Sequence, residues 1–342
     1  MLVVRNVCED DIESLFELIQ QSEFGLTTLK IERDKLRSRI ENSVFGFGRD
    51  VKRPGGEPYV FVMEDMASGQ IVGTSAIYSK VGGYEPFYTY VIKPSIHESK
   101  ELDIRKEVQV LHLCEEHDGP SEIGSLFLSP DYWGHGHGRT LSLARFLYMA
   151  EFPERFESEV IAEMRGVVDS DGKSPLWAAL GSHFFQIGLP KADTLTSKSK
   201  KFIADLMPRH PIYIPLLPEE AREVIGKVHR NTEPAMAVLK SEGFAFRDRV
   251  DIFDGGPALH CDVAEIRSVR QSRRGSVGSV EDSVAESEDV LISNALGDFR
   301  CCRGRVSWDE QDGTAVIDRV TSLQLNLKVG SPIRTTPVKA AG

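Results

Sequence analysis

The sequence predicts an α+β protein with two similar halves, built on mostly antiparallel mixed sheets flanked by helices and followed by a small C-terminal β module. Three observations predict it. The apolar run Ile123 to Leu128, the alternate glycines 134, 136 and 138, and an amphipathic stretch through Leu141, Ala144, Phe146, Leu147 and Ala150 read as strand, loop and helix. The chain before them reads as hairpins rather than βαβ units. The chain after them holds two Pro-started helices 59 residues apart, with Pro175 matching Pro234, Leu180 matching Leu239 and Phe185 matching Phe244. Two unrelated helices are the alternative to a repeat.

Taken in order, residues 2–5 read as a strand, and Glu9-Asp10-Asp11 supplies acidic side chains where a helix dipole favours them. Ile12, Leu15, Phe16, Leu18 and Ile19 recur at helical spacing, and 32–43 reads as a second helix. Tyr59–Met63 and Ile71–Tyr78 are β-rich runs joined at Ser68-Gly69, with further strands at 87–92 and 108–113. Pro130 and Asp131 stop the central strand. Residues 160–165 read as a strand, and Ser174-Pro175 is a helix start. Strands follow at 244–253 and 258–266 around Asp254-Gly-Gly-Pro257. Ser-rich, charged residues 267–289 read as a flexible linker. Residues 290–342 alternate again and suggest the small β module. The expected division is therefore 1–190, 191–266, the linker 267–289, and 290–342.

The 342 residues, 41% hydrophobic and 27% charged, suit a globular protein of about two domains. No apolar run approaches the ~18 residues of a membrane helix, and Met1-Leu-Val-Val-Arg lacks a signal-peptide pattern. The expectation is a cytoplasmic protein with no membrane partner. Cysteines 8, 114, 261, 301 and 302 form no C-x-x-C pair and read as reduced thiols. His112, Cys114 and His117, like His135 and His137, lack the second pair that a zinc site needs, so no metal is expected. A net charge of −11 argues against nucleic-acid binding and favours a cationic substrate.

Glycines at 134, 136 and 138 permit positive φ and leave no Cβ between the amides and an approaching ligand. Several N–H groups can converge there on one anion, aided by the positive end of the helix dipole. A pyrophosphate meets that description; a tight turn without a ligand is the bland alternative. No Gly-Lys-Ser/Thr follows, against a P-loop NTPase. The spacing Pro130-x-x-Trp133-x-x-Gly136-x-Gly138 resembles the pyrophosphate loop of the GNAT family of acyl-CoA N-acyltransferases, whose pattern is Arg or Gln, two residues, Gly, one residue, Gly or Ala. Trp133 stands at the usual Arg or Gln position, which leaves Arg139, His135 or His137 to share the phosphate.

Longer words resemble one family. Ala162–Val167, Phe202–Tyr213, Val224–His229, Asp251–Pro257 and Gly25-Leu-Thr are similar to the arginine N-succinyltransferase family, in order, over residues 1 to about 274. The resemblance implies tandem GNAT-like domains with exchanged C-terminal strands. It also implies succinyl transfer from succinyl-CoA, as cosubstrate, to the α-amine of L-arginine. Its proton-donor histidine falls on His229 and its succinyl-CoA contact on Leu126.

An amine attacks a thioester only as the neutral base, so the site must relay a proton and stabilise an oxyanion. His229 has the right chemistry; a structural histidine is the competing reading. Backbone groups of Leu126, Phe127 and Leu128 and the loop of Gly134, Gly136, Gly138 and Arg139 are the cofactor-binding candidates. Glu163, Arg165 and Asp254 are candidates for the amino-acid substrate, whose guanidinium calls for a carboxylate and whose carboxylate calls for a cation. Ornithine or another amine is the closest alternative substrate, and a non-catalytic acyl-CoA-binding regulator is the alternative of another class. A homo-oligomer is compatible with all three.

Overall fold

The computed structural model describes residues 1–22, 32–196, 199–285 and 287–339, so the Gly25-Leu-Thr word lies outside the described residues. The strands are β1 (Leu2–Asn6), β2 (Pro58–Asp65), β3 (Gln70–Tyr78), β4 (Phe87–Ser99), β5 (Ile104–Glu116), β6 (Ser121–Leu128), β7 (Glu159–Glu163) and β8 (Ile212–Tyr213). They continue with β9 (Ala245–Val250), β10 (Pro257–Asp262), β11 (Arg273–Glu281), β12 (Glu288–Ser293), β13 (Arg300–Asp309), β14 (Thr314–Asp318) and β15 (Pro332–Pro337). Three helices matter most for the site: α1 (Ile12–Gln20), α2 (Arg33–Gly48) and α3 (His137–Glu151).

All these strands join one sheet in the order β12-β15-β11-β14-β13-β1-β2-β3-β6-β7-β10-β9-β4-β5-β8. Pairing is antiparallel except for β6 with β7 and β11 with β14. The middle of the sheet is buried on both faces, which is why β2 reads as an unbroken apolar run. Tyr59 and Phe61 pack with Leu141, Phe146 and Tyr148 of α3 on one side. Val60 and Val62 pack with Leu15, Ile19 and Leu36 of α1 and α2 on the other. β4 and β5 run beyond the apolar segments that announce them, because thirteen residues of each pair with the other and satisfy the backbone of their polar ends.

β9 and β10 lie between β7 and β4, so strands from late in the chain sit among those of its first half. The two Pro-started helices pack on different cores. Trp177, Leu180 and Phe185 bury against Tyr90, Leu111 and Val250. Leu239 and Phe244 join α3 in the main core.

Residues 267–289 are a correction to the expected flexible linker. Arg267–Arg270 is a helical turn, and β11 lies between β14 and β15 in a five-strand ring that β12 closes by pairing with both β15 and β13. Composition misleads here because Val277, set among the serines and arginines of β11, is buried with Val290, Ile292, Ile317 and Ile333. The backbone of β11 is satisfied by both neighbours. Before the ring, Arg267 is anchored: its guanidinium donates to Glu242 at 2.6 and 3.0 Å and to the carbonyl of Pro337 at 3.1 Å. Among the described residues, no helix is long and apolar enough to cross a membrane.

Candidate active site

β6 carries a bulge. Opposite Thr74 and Ala76 of β3 stand Phe127 and Gly124, so β6 has one residue more than its partner, and Ser125 takes the left-handed conformation with φ 53. Ser125 Oγ lies 3.3 Å from the Tyr78 hydroxyl, which accepts from Arg39 Nη1 at 3.1 Å. On its other edge β6 pairs with β7 only at Ser121↔Val160 and Glu122↔Ile161. Beyond that pair the two parallel strands part. Leu126, Phe127 and Leu128 therefore keep β3 on one side and a gap on the other.

The loop candidates lie at the far end of this strand. Gly134 and Gly136 have φ of 85 and 81, values a side chain would strain, and Gly136 leads directly into α3. No side chain caps the start of this 15-residue helix, so its first amides remain available to a ligand. A Cβ on Gly134 or Gly138 would meet nothing within 4 Å; on Gly136 it would meet only Arg303 Nη1, at 3.9 Å. Trp133 spends its indole N–H on the carbonyl of Leu128, at 2.9 Å, with the ring largely exposed. Arg139 donates to Ser241 at 3.2 Å and ties the start of α3 to the helix Glu233–Ser241. That helix is the one beside the loop. Sequence reasoning missed Arg303, a cation brought by β13 and paired with Asp289.

His229 stands across the gap on the β7 side. Its amide donates to the carbonyl of Arg165 at 2.9 Å, and Gly166 bridges Val228. Its Nδ1 accepts from the Asn231 amide at 3.2 Å. A backbone N–H can only donate, so the neutral ring carries its proton on Nε2. Burial, reinforced by the charges of Arg165 and Arg230, holds the imidazole below its usual 6.5.

The substrate candidates separate. Asp254 accepts from the amides of Gly166 and Gly256, each at 2.8 Å, and a Cβ on Gly166 would fall 2.5 Å from its Oδ1. It is a clasp between two backbone segments and does not line the cleft. Arg165 lies beside His229, its guanidinium lowered by burial and partly restored by Asp254. Glu163 is different: it lines a cleft of about 420 Å³ together with Glu122, Asp251, Arg39 and Lys200. Ile123, Val160 and Ala162 face α3, so by alternation Glu122, Ile161 and Glu163 face the opposite side of the sheet. Loop and cleft thus lie on opposite faces, with the parting of β6 and β7 between them. Glu122 and Asp251 were missed because each reads alone as a strand-end or turn acid; only the fold brings them to Glu163.

An anion-ready loop, a split strand pair and a cleft lined by Glu122, Glu163 and Asp251 invite comparison with known proteins. The family model for the arginine N-succinyltransferase beta subunit matches residues 2–268, and the model for that subunit's C-terminal domain matches 273–337. The chain belongs to the arginine N-succinyltransferase beta subunit family. It is 41% identical over 342 residues to arginine N-succinyltransferase subunit beta of Pseudomonas aeruginosa, covering 99% of both chains. It is 41% identical over 295 residues to the arginine N-succinyltransferase of Shigella dysenteriae, covering 86% of each. The solved structure of arginine/ornithine succinyltransferase subunit AI from Pseudomonas aeruginosa superposes with a TM-score of 0.90 at 34% identity, over 99% of both chains. That likeness spans the β11–β15 ring, so the ring is part of the family's architecture and no private appendage of this chain.

Proposed function

We propose that this family member transfers the succinyl group of succinyl-CoA to the α-amine of L-arginine, releasing CoA. The observation that carries the reading is the parting of β6 from β7 beyond Glu122 and Ile161, with the Gly134–Gly138 loop at one end and the acidic cleft on the other face. The diphosphate lies on the loop amides, and the pantetheine follows the free edge of Leu126–Leu128, whose backbone groups take the place of a missing strand. Arginine approaches from the cleft.

The amine lone pair attacks the thioester carbon, the C–S bond breaks, and the proton shed by nitrogen ends on sulfur. His229 donates a hydrogen bond from Nε2–H to the sulfur as negative charge builds on it and stays neutral throughout, its capped Nδ1 keeping the ring in that tautomer, while the nitrogen's proton passes directly to the departing sulfur. Because the imidazole charges only below 6.5, the neutral ring prevails at pH 7. At saturating substrates, kcat should fall as pH drops through a value below 6.5, since protonation costs the Asn231 cap and displaces the ring. A pH profile that is flat from 7 to 5 would remove this role.

With diphosphate on the loop, Arg303, whose Nη1 lies 3.9 Å from where a Cβ on Gly136 would stand, is a supplementary cation. Arg303→Ala should raise KM for succinyl-CoA roughly two- to fivefold, the value of an exposed charge contact, and leave kcat unchanged. Steady-state kinetics with varied succinyl-CoA measures this directly.

The reaction itself is tested by free-CoA release from purified protein with succinyl-CoA and arginine; no arginine-dependent release rules it out. A second reading, ornithine as the amine, is favoured by the name of the Pseudomonas structure and by a cleft whose acids would also hold an ammonium. Running both amines in the same assay separates them. A cytoplasmic setting suits the five thiols, none of which is in a disulfide.

A further inference from the structure

We propose that Glu122, Glu163 and Asp251 together form the receptor for the guanidinium of the amine substrate, an inference that rests on the acyl-transfer reading above. The three come from β6, from β7 and from the turn after β9, and converge on one cleft. Glu163 Oε1 is shut off from solvent and has no hydrogen-bond partner among the described residues. None of the three carboxylates has an ion-pair partner among the described residues, although cations border the same cleft. Lys80 is held by Asp118 and Glu157, Arg39 by the Tyr78 hydroxyl, and Lys200 lies over the Phe87 ring at 5.5 Å.

Gathering carboxylates in a half-open cleft with no direct ion-pair partner among the described residues is costly unless a cation arrives with the ligand. Burial and the neighbouring Glu122 and Asp251 raise Glu163 well above the usual carboxylate range, the expected state of a cation site awaiting its cation. Asp251 is fixed by the amides of Phe253 and Asp254, at 2.7 and 2.8 Å on Oδ1. A planar guanidinium presents five N–H donors, enough to satisfy several carboxylate oxygens at once.

The reach fits. Glu122 precedes Leu126 by four residues, at most about 13 Å along a strand that the bulge at Ser125 shortens, a span within reach of a glutamate side chain and an extended arginine laid end to end. A guanidinium at Glu122 and Glu163 thus leaves the α-amine near the gap beside Leu126 and His229.

The test compares arginine with citrulline, its uncharged isostere, in wild-type protein, Glu163→Gln and Glu122→Gln, with CoA-release kinetics and calorimetric titration of arginine in the presence of CoA. The expected result is a rise of about tenfold or more in KM and Kd for arginine, little change with citrulline, and an unchanged KM for succinyl-CoA. The preference for arginine over citrulline then shrinks. If either variant keeps wild-type arginine affinity, or loses arginine and citrulline equally, the receptor assignment is overturned while acyl transfer stands. If wild-type protein turns over no amine, acyl transfer fails. The titration still judges the receptor, which is overturned if arginine does not bind or binds Glu163→Gln equally well.

Discussion

Replacing His229 by alanine should lower kcat for arginine-dependent CoA release by about two decades, the usual worth of a positioned donor aimed at developing charge. Affinity for CoA should stay within about twofold, because the loop amides lie on the other side of the gap and His229 touches none of them. The fold should tolerate the change. The side chain is half-buried and its one hydrogen bond caps a single turn through Asn231, a contact worth about 1 kcal/mol. Asparagine at this position can accept the same amide but carries no donor where Nε2–H lies, so His229→Asn should keep the melting temperature and remain slow. A regulator that merely senses acyl-CoA would show no turnover to lose. A variant as active as wild type would mean that the charge building on sulfur is met from elsewhere.

Glu242→Ala should destabilise the protein by about 3–5 kcal/mol in denaturant unfolding, the cost of stranding a buried charge. Glu242 is fully buried, Arg267 is 7% exposed on its side chain, and the same carboxylate accepts the Ser268 amide at 2.8 Å. The pair also locks the helix Glu233–Ser241 to the approach of the ring, since Arg267 reaches the carbonyl of Pro337. Removing both partners with apolar residues of similar volume should recover much of the loss, because no lone charge then remains inside. If Glu242→Ala costs under 1 kcal/mol, water reaches Arg267 and the ring is joined more loosely than the hydrogen bonds describe.

Much of this was legible beforehand, wherever one segment sufficed. The hairpin β2–β3 follows from β-rich runs around Ser68-Gly69, and α3 from its apolar spacing behind three glycines. The loop was readable because glycine is the residue that positive φ demands, and φ is indeed positive at Gly134 and Gly136. What depends on partners distant in the chain was not. β11 has the composition of a linker, and its order comes from β14 and β15. The parting of β6 and β7 is a property of register, which neither strand encodes alone. Asp254 resembles a ligand-binding acid until Gly166 and Gly256 are seen to occupy it, and Glu122 with Asp251 resembles ordinary surface until Glu163 is placed between them.

The most direct measurement is a crystal structure of the protein with CoA and arginine bound. The account predicts the diphosphate on the amides of Gly134 to Gly138, the pantetheine along Leu126 to Leu128, and the thiol in the gap facing the arginine α-amine near His229. A diphosphate bound anywhere else, or a gap left empty at saturating CoA, would contradict it.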